Sequence, residues 1–383
     1  MDLKAFGAKR SGELVPTIGG ADAFVPWPLP PSLDLSEIAL TMAEAMQAIG
    51  ELRGACRRLA NPYVLIRPLQ RREALTSSAM EGTFTHEDDL ILAEAGATKR
   101  ADEDTTEVYN YIQALRVAIE DLKRLPISHR MLRQAHQTLL QGVGRHRGAH
   151  KLPGEYKKDQ NMIGGRTLET ARYIPPPPQE ASACMDALEA YINRPEKYNP
   201  SPVMDLALVH YQFEAIHPFA DGNGRVGRML ITLMSVADGL LDMPVLYMSP
   251  AIEKEKDEYI DLMFNVSAQG EWSAWLNYFF VKLAASCSDT VQIVDRLINL
   301  HAEYRSLVAE NAKTSNILTL VDMLFEQPVI TVRDATERLQ VSDRAARNTV
   351  QKLVELGVLT EFADIYPRHY LAPRIYRIAQ SDH

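Results

Sequence analysis

Residues 210–228 read His-Tyr-Gln-Phe-Glu-Ala-Ile-His-Pro-Phe-Ala-Asp-Gly-Asn-Gly-Arg-Val-Gly-Arg, and this stretch determines how the chain around it folds. Apolar residues at helical spacing precede it and predict a helix. Pro218 must end that helix, because proline lacks a backbone N–H and clashes with the preceding turn. A second helix is predicted over residues 225–237. His217 is therefore expected at a helix end, facing the start of the next helix.

The turn Asp-Gly-Asn-Gly at residues 221–224 is suited to binding an anion. Its glycines allow positive φ angles and let backbone amides converge. The helix that follows adds its free N–H groups and the positive end of its dipole at the same point. We therefore expect Gly222, Asn223 and Gly224 to bind phosphate groups through the backbone.

The charged side chains around this turn predict phosphate chemistry. Arg225 and Arg228 are three residues apart, so they share one helix face, and we expect both to bind a polyphosphate chain. Asp221 is assigned to Mg²⁺, which usually takes one or two carboxylates together with phosphate oxygens. His217 has an ordinary pKa near neutrality and is expected to accept a proton from an attacking hydroxyl group. The pattern predicts phosphoryl or nucleotidyl transfer.

The segment from His217 to Arg228 resembles the signature motif of the Fic family at every position of its pattern. The resemblance implies an all-α fold and transfer of AMP from ATP to a Ser, Thr or Tyr hydroxyl of a target protein, or of the enzyme itself. It gives the histidine the role of base and Asp221 the role of Mg²⁺ ligand. It also implies a nucleotide-binding set formed by Gly222, Asn223, Gly224, Arg225, Val226, Gly227, Arg228 and Tyr259.

Other stretches extend this resemblance over most of residues 20–290. Residues 161–165 and 171–178 are similar to the family's flap over the target segment, with Ile163, Gly164 and Gly165 at its centre. Residues 25–31 and 246–249 match as well, and Tyr259 is assigned to the adenine pocket by the same resemblance. The chain departs from the pattern at Ile260, where many relatives have a second tyrosine. The four prolines of the flap are alternatively read as a polyproline ligand for an SH3-type partner.

An inhibitory segment is predicted upstream, at residues 77–82, Ser-Ser-Ala-Met-Glu-Gly. It lies at the end of a helical stretch from about Arg71, with Gly82 as its C-cap, so Ser77 and Glu81 share a face. A carboxylate beside Arg228 would form an ion pair and occupy the arginine. The segment is similar to the family's inhibitory motif, which also supports removal of AMP in some relatives. The sequence leaves this second role open.

A rival interpretation is a metal hydrolase. His210, Glu214 and His217 lie on one helix face at spacings of four and three, which is compatible with a transition-metal site. The order is not His-Glu-x-x-His, and the Gly-Asn-Gly turn with its two arginines would then have no purpose. His210 is better interpreted as a buried, hydrogen-bonded histidine, with Glu214 as polar support for the site.

Composition sets the broad class. The chain has 383 residues, enough for two or three domains, and a net charge of -9, which argues against indiscriminate binding to nucleic acid. Its three cysteines, Cys56, Cys184 and Cys287, are far apart and odd in number, which favours a reducing compartment. No stretch has the pattern of a signal peptide or a membrane span. We expect a cytoplasmic protein without a membrane partner.

The fold class is predicted to be all-α, with a Fic-type helical core, a small β-hairpin flap and a C-terminal winged helix-turn-helix domain. The proline-rich residues 24–31 are expected to form an extended arm. The last part is predicted as three helices, the third over residues 343–356, and two strands at residues 358–362 and 374–378. The predicted domain ranges are an N-terminal helical region, the catalytic core, a linker helix and the winged helix, at residues 1–105, 106–290, 291–312 and 313–383.

The winged helix introduces a competing class of function, a transcription factor. Its third helix would enter a major groove and present Arg344, Arg347 and Lys352 to DNA. Asp343 and Glu355 lie on the same helix and weaken that electrostatic footprint, so a protein partner is an equal alternative. Inhibitory helices and winged helices both lend themselves to dimers, and a homodimer is kept as an expectation.

Overall fold

Helices form most of the chain in the computed structural model. It describes residues 1–59, 63–94, 96, 102–143, 152–197, 201–311, 315–362 and 367–378, with the backbone alone at residues 63–65. The predicted helical body with small antiparallel sheets is confirmed. Within these described ranges, no helix combines the length and apolar character needed to cross a membrane.

Six α-helices lie in the N-terminal half of the described chain. They are α1 (Ala39–Cys56), α2 (Tyr63–Ala79), α3 (Glu87–Glu94), α4 (Glu103–Leu122), α5 (His129–Leu139) and α6 (Pro178–Ile192). Helix α2 starts eight residues before the predicted start at Arg71, and it includes Pro68. The sequence hides this earlier start because a proline is normally expected to end or kink a helix.

Two buried helices form the centre of the core, α7 (Pro202–Ile216) and α8 (Asn223–Ala237). Nearly every residue of α7 is buried, as expected for a helix that is apolar all round. Ser201 caps its start, and His217 ends it in the left-handed conformation with φ 49°. The predicted helix end before Pro218 is thereby confirmed.

Three further helices complete the core, α9 (Ser249–Ile252), α10 (Lys256–Gln269) and α11 (Trp272–Asn311). Helix α11 is 40 residues long and packs along α1. Trp275 is fully buried and donates a hydrogen bond from its ring N–H to the carbonyl of Ala207 at 3.1 Å. The helix passes without a break through residue 290, where the sequence places a domain boundary.

An N-terminal β-hairpin accompanies the helices. Strand β1 (Gly12–Pro16) pairs antiparallel with β2 (Asp22–Pro26), so part of the predicted extended arm is a paired strand. The backbone N–H of Phe24 donates to the carbonyl of Ile174 at 2.9 Å, which fixes the hairpin against the flap. In the flap itself, Ile163 and Tyr173 form a single antiparallel bridge.

Over its described residues, the C-terminal region consists of four helices and a small three-stranded sheet, an arrangement consistent with the predicted winged helix. Its helices are α12 (Ser315–Glu326), α13 (Val332–Leu339), α14 (Asp343–Glu355) and α15 (Pro373–Ile378), and its strands are β3 (Val329–Thr331), β4 (Thr360–Glu361) and β5 (His369–Leu371). The strand order is β3-β5-β4. The strand predicted at residues 374–378 is wrong. These residues form a helix because Pro373 is suited to a first helical position, and the second wing strand lies just before it.

A buried ion pair holds α8 against α4. Arg225 on α8 contacts Glu107 on α4, and both side chains are only 2% exposed. Removal of one partner leaves an uncompensated buried charge, which is far more costly than loss of a surface pair. The position of α8, and of the turn before it, depends on this contact.

We predict that Glu107→Ala lowers the free energy of unfolding by roughly 3–5 kcal/mol, because Arg225 is left buried without its partner. Urea denaturation followed by circular dichroism measures this change. The matched control is Glu120→Ala on the same helix, whose pair with Lys123 is about two-thirds exposed. It should change stability by less than about 1 kcal/mol. Equal losses for both variants would contradict the prediction.

Candidate active site

One cavity of about 260 Å³ collects residues from six parts of the chain: the inhibitory segment, the flap, α7, the following turn, α8 and α10. Six of the predicted site residues line it, namely Glu81, Ile163, His217, Gly224, Arg228 and Tyr259, and so do Glu214 and Ile260. Most of its remaining wall is apolar or aromatic, including Tyr211, Met263 and Phe264. A mainly apolar cavity with a few convergent polar groups is the usual form of a ligand site.

His217 is held at the cavity wall by its unusual backbone conformation. Its N–H still donates to the carbonyl of Phe213 at 3.0 Å, so the residue caps α7. Its left-handed φ then turns the chain sharply into the loop. Such a conformation is uncommon for a residue with a side chain, and the surroundings must stabilise it.

Lys157, just before the flap, and Asn161, at its start, provide that stabilisation. The Nζ atom of Lys157 donates to the carbonyl of Ile216 at 3.4 Å and to Oδ1 of Asn161 at 2.7 Å, while its backbone N–H donates to the carbonyl of Pro218 at 2.8 Å. Nδ2 of Asn161 donates to the carbonyls of His217 and Phe219 at 3.1 and 3.0 Å. Four consecutive carbonyls at a helix end thus receive donors from two residues.

The turn after His217 is closed by Asn223. Its Oδ1 accepts from the N–H of Phe219 and its Nδ2 donates to the carbonyl of Phe219, both at 2.8 Å. The side chain therefore fixes the turn, and only the backbone of Asn223 remains for an anion. Gly222 has φ 74°, and a Cβ atom there would lie 3.3 Å from Leu139. This glycine meets both the conformational and the spatial requirement.

A buried histidine that sequence reasoning missed supports the same turn from α5. His136 donates from Nε2 to the carbonyl of Asp221 at 3.0 Å and accepts from the N–H of Gly154 at Nδ1 at 2.9 Å. Its ring stacks on Phe219 with centroids 3.9 Å apart. Burial lowers the pKa of His136 to about 4, so the ring is neutral and keeps both hydrogen bonds.

The inhibitory segment meets α8 at Arg228. The guanidinium donates from Nε to the hydroxyl of Ser77 at 2.8 Å and from Nη2 to the carbonyl of Ser77 at 2.9 Å. Nη2 also donates to Oε1 of Glu81 at 2.7 Å. Helix α2 ends at Ala79, so Glu81 lies in the turn after it, and Gly82 has the positive φ of a C-cap.

Glu81 covers the start of α8. A Cβ atom on Gly224 would lie 2.3 Å from Oε1 of Glu81 and 2.9 Å from Nη1 of Arg228, so only glycine fits while the carboxylate is present. Burial opposes ionisation of Glu81, but the charge and hydrogen bond of Arg228, together with the charges of Arg225 and Lys256, outweigh it and lower the pKa of this carboxyl. A carboxylate therefore occupies the end of the helix where an anion is favoured.

The side chain of Arg225 lies elsewhere than the sequence predicts. Its guanidinium is directed at Glu107 on α4 and is buried, instead of lying beside Arg228 above the turn. Residues three apart do share a helix face, but long side chains on that face can bend toward different neighbours. Val226 and Gly227 are also buried in α8, where Gly227 lies against α7. None of these three lines the cavity.

Glu214 adds a second carboxyl group to the cavity. Its Oε1 would lie 2.1 Å from a Cβ on Gly227, and this atom is buried with no hydrogen-bond partner among the described residues. Burial raises the pKa of Glu214 to about 8 despite the opposing charge of Arg228. The group is therefore mostly protonated at neutral pH and can donate a hydrogen bond to a ligand.

The rival metal site at His210 is not formed. Nδ1 of His210 lies 3.1 Å from the carbonyl of Gly227, to which it must donate, and Nε2 accepts from the hydroxyl of Tyr259 at 2.7 Å. Burial lowers the pKa of His210 to about 3. Within the ranges that the structure describes, no three His, Cys, Asp or Glu side chains are grouped as metal ligands. Tyr259 lines the cavity with its ring and is oriented by this histidine.

Asp221 lies at the edge of the turn, partly exposed, with Oδ1 accepting from the N–H of Gly222 at 2.7 Å. A hard cation such as Mg²⁺ prefers oxygen ligands and is usually held by one or two carboxylates plus phosphate oxygens. A single accessible carboxylate beside a helix N-terminus fits a metal that arrives with a phosphate ligand. It does not fit a metal bound by protein groups alone.

The electrostatics of the cavity keep His217 unprotonated. Burial, and then the nearby ammonium of Lys157, lower the pKa of His217 to about 4. Burial also lowers the pKa of Lys157 to about 7. Neutral imidazole is the form that can accept a proton. Lys157 was not identified in the sequence, since a lysine in a loop is usually solvated.

Comparison with known proteins agrees with the motif. Residues 39–120 match the Fic/DOC family N-terminal region, and residues 126–235 match the Fic/DOC family. A "Protein adenylyltransferase Fic" of Culex quinquefasciatus is 30% identical over 137 residues, which are 36% of this chain and 23% of that protein. The protein of the same name from Drosophila melanogaster is 25% identical over 197 residues, 51% of this chain and 37% of that protein. The chain therefore spans well under half the length of these curated relatives.

Solved structures share the fold. A Fic family protein from Desulfovibrio desulfuricans G20 superimposes with a TM-score of 0.56 at 19% identity, over 90% of this chain and 98% of that chain. Fic-1 from C. elegans superimposes with a TM-score of 0.52 at 18% identity, over 66% of this chain and 73% of that chain.

We predict that Lys157→Met raises the pKa of His217 above its value in the unaltered protein. The ammonium disfavours a second positive charge nearby, so its removal makes protonation of the imidazole easier. A pH titration of the His217 ring signals by NMR measures the change. The control is Lys158→Met, which removes an exposed neighbour paired with Glu155. A His217 pKa that is equal in both variants would contradict the assignment.

Proposed function

This chain belongs to the Fic/DOC family, and we propose that it is a protein adenylyltransferase, which moves AMP from ATP to a hydroxyl side chain of a target protein or of itself. The observation that carries the proposal is the convergence of His217, Gly224 and Arg228 on one cavity whose anion position is filled by Glu81. A base, a phosphate-binding helix start and a competing carboxylate are together what such a reaction and its inhibition require.

The cavity supports a distinct position for each part of ATP. The apolar end, with Tyr259, Ile260 and Met263, suits the adenine ring. The start of α8 suits the phosphates through the free N–H groups of the helix, and Arg228 supplies the guanidinium. Arg225 supports the phosphate site indirectly, by holding α8 against α4.

Asp221 would hold Mg²⁺, which supplies neutralisation of the charge on the phosphates when bound. The target hydroxyl approaches His217, and its oxygen attacks the α-phosphorus of ATP. The bond between that phosphorus and the oxygen bridging to the β-phosphate breaks, and pyrophosphate leaves. His217 takes the hydroxyl proton on its neutral imidazole. Bound phosphates add negative charge beside the ring and so favour its protonated form during the reaction.

The flap supports binding of the target segment next to His217. Ile163 lines the cavity, while Gly164 has φ 69° and Gly165 would place a Cβ only 2.6 Å from the backbone of Ala171. These glycines let the two flap segments pass close to each other at the mouth of the cavity. The tight backbone leaves little freedom in the loop, which suits a fixed guide for an incoming peptide.

Glu81 is proposed as an inhibitor of its own enzyme. Its carboxylate lies where a phosphate oxygen would meet Gly224 and Arg228, and its lowered pKa keeps it charged at neutral pH. ATP must therefore displace a charge-assisted hydrogen bond before its phosphates align. Removal of AMP from a modified target remains a second proposed role for this residue.

The partner of the winged helix remains a proposal. Two of the three basic residues expected to meet DNA are paired within α14, Arg347 with Asp343 at 3.2 Å and Lys352 with Glu355 at 3.4 Å. A phosphate backbone would compete with these carboxylates, which supports a protein partner over duplex DNA. Homodimer formation also stays a prediction.

We expect Glu81→Gly to raise AMP transfer at least tenfold, since each 1.4 kcal/mol of competing interaction is about a factor of 10. The purified protein and the variant are incubated with labelled ATP and Mg²⁺, and added AMP is measured by mass spectrometry on the protein and on cell extract. Glu81→Gln is the matched control for charge, because it keeps the size of the side chain. Unchanged transfer in both variants would remove the inhibitory role.

His217→Ala is expected to lower AMP transfer by about 10²–10⁴-fold, the usual contribution of a general base. The same assay is run in the Glu81→Gly background, so that inhibition does not mask the loss. His136→Ala serves as a comparison for structural damage, because it affects the turn without removing the base. If the protein with His217→Ala acquires as much AMP as the protein with His217 intact, the proposed chemistry is wrong.

A further inference from the structure

A second polar cavity lies away from the active site, between the first half of α2, helix α4 and the start of β3. Its volume is about 100 Å³. Three arginines line it: Arg67 and Arg71 from α2, and Arg116 from α4. The remaining lining includes the polar side chains of Gln113 and Gln327. Three guanidinium groups from two helices therefore surround a single small space.

The charges of this cavity are not balanced by its own carboxylates. Glu94 is the one acidic residue of its described lining, and it pairs with Nε of Arg71. Glu326 acts on Arg67 from outside, but it also contacts Arg338 at 3.5 Å. Partial loss of solvent around its guanidinium, followed by repulsion from Arg116, lowers the pKa of Arg67. Like charges that share one small cavity repel one another and destabilise the protein unless an anion lies between them.

Arg71 provides the main evidence for a ligand in this cavity. Its side chain is 5% exposed, and Nη1 is buried with no hydrogen-bond partner among the described residues. The ring of Tyr376 in α15 lies over the guanidinium, with its centroid 5.8 Å from the central carbon. A buried, unsatisfied charged donor is costly, and native proteins normally satisfy it with a partner, a water or an ion.

The size and access of the cavity select the kind of anion. A volume of about 100 Å³ suits one phosphate group and is too small to enclose a whole nucleotide, so only the phosphate of a larger ligand would enter. Arg67 and Arg116 are exposed at its rim, so a charged group can enter from solvent. Guanidinium groups bind phosphate through paired N–H donors.

We propose that this cavity binds a phosphate group, either inorganic phosphate or the phosphate of a small monoester, and thereby fixes α2 to α4 and to the C-terminal region. Arg67 and Arg116 attract the anion, and Arg71 binds it in the interior. The site is separate from the cavity that contains His217, with which it shares no lining residue. Because α2 also leads into residues 77–82, the bound anion stabilises the helix that carries Ser77.

The binding itself does not depend on the proposed adenylyltransferase activity. It is measured on the full chain by isothermal titration calorimetry with inorganic phosphate, and separately with AMP, at low ionic strength. Arg67→Ala and Arg116→Ala are each expected to weaken phosphate binding at least tenfold, the effect of losing one charge-assisted contact of about 1.4 kcal/mol or more. Added salt should weaken it too, because the rim is exposed.

Matched variants separate this site from the active site. Arg124→Ala removes an exposed arginine beyond the end of α4 that pairs with Asp121 and does not line the cavity, and it should leave binding unchanged. Arg228→Ala, in the catalytic cavity, should also leave it unchanged. Both rim arginines are exposed, so their variants should fold, and thermal melting without ligand verifies this.

Three results would overturn the proposal. They are the absence of phosphate binding by the unaltered chain at low salt, equal binding by the two rim variants and the Arg124 control, and loss of binding in Arg228→Ala alone. The last result would assign the phosphate to the catalytic cavity. If AMP binds as tightly as inorganic phosphate and loses affinity in the rim variants, a monoester is the natural class of ligand. If only inorganic phosphate binds and loses affinity in the rim variants, the free anion is the natural ligand.

Discussion

The structure of the site depends on hydrogen-bond donors for the carbonyls where α7 ends and the turn after it begins. A helix ends with carbonyl groups that have no partner inside it, and here the chain turns away at once in a left-handed conformation. Lys157 and Asn161 supply donors to four consecutive carbonyls from outside the helix. Because Asn161 belongs to the flap and Lys157 lies just before it, the segment that borders the cavity mouth also fixes the base.

Helix α8 also makes close contacts with groups from other parts of the chain. Gly224 and Gly227 are one turn apart, and each leaves room for a carboxyl group from another helix or turn, Glu81 over the first and Glu214 over the second. Arg228 acts electrostatically on both, yet one carboxyl is held ionised and the other neutral. Solvent access and hydrogen bonding separate them, since Glu81 contacts the guanidinium directly and Glu214 has a buried oxygen without a partner.

Much of this site could be predicted from local sequence, for physical reasons. Pro218 has to end a helix, glycines have to permit the turn, and the next helix has to offer its amides, so His217, Gly224 and Arg228 follow from short-range rules. The spacing of Ser77 and Glu81 followed from a motif. In contrast, the partner of Arg225 could not be predicted, because Glu107 lies more than a hundred residues earlier and only packing brings it near.

The same limit applies to Lys157 and His136, whose roles come from burial, and to the strand at His369–Leu371, whose pairing with β3 is non-local. In each case a residue type that is ordinary in a loop acquires its role from distant neighbours.

Helix α11 has a consequence for how relatives of this chain can differ in length. Its 40 residues contain neither glycine nor proline, and buried side chains occur along both halves, so it has no built-in point of bending. Each residue of an α-helix advances the axis by about 1.5 Å and rotates it by about 100°. Loss of a single residue near its middle would turn one half's apolar stripe away from its neighbours by more than a quarter of a circle. Insertions and deletions within α11 should therefore be tolerated only in steps close to whole turns, such as seven residues for two turns.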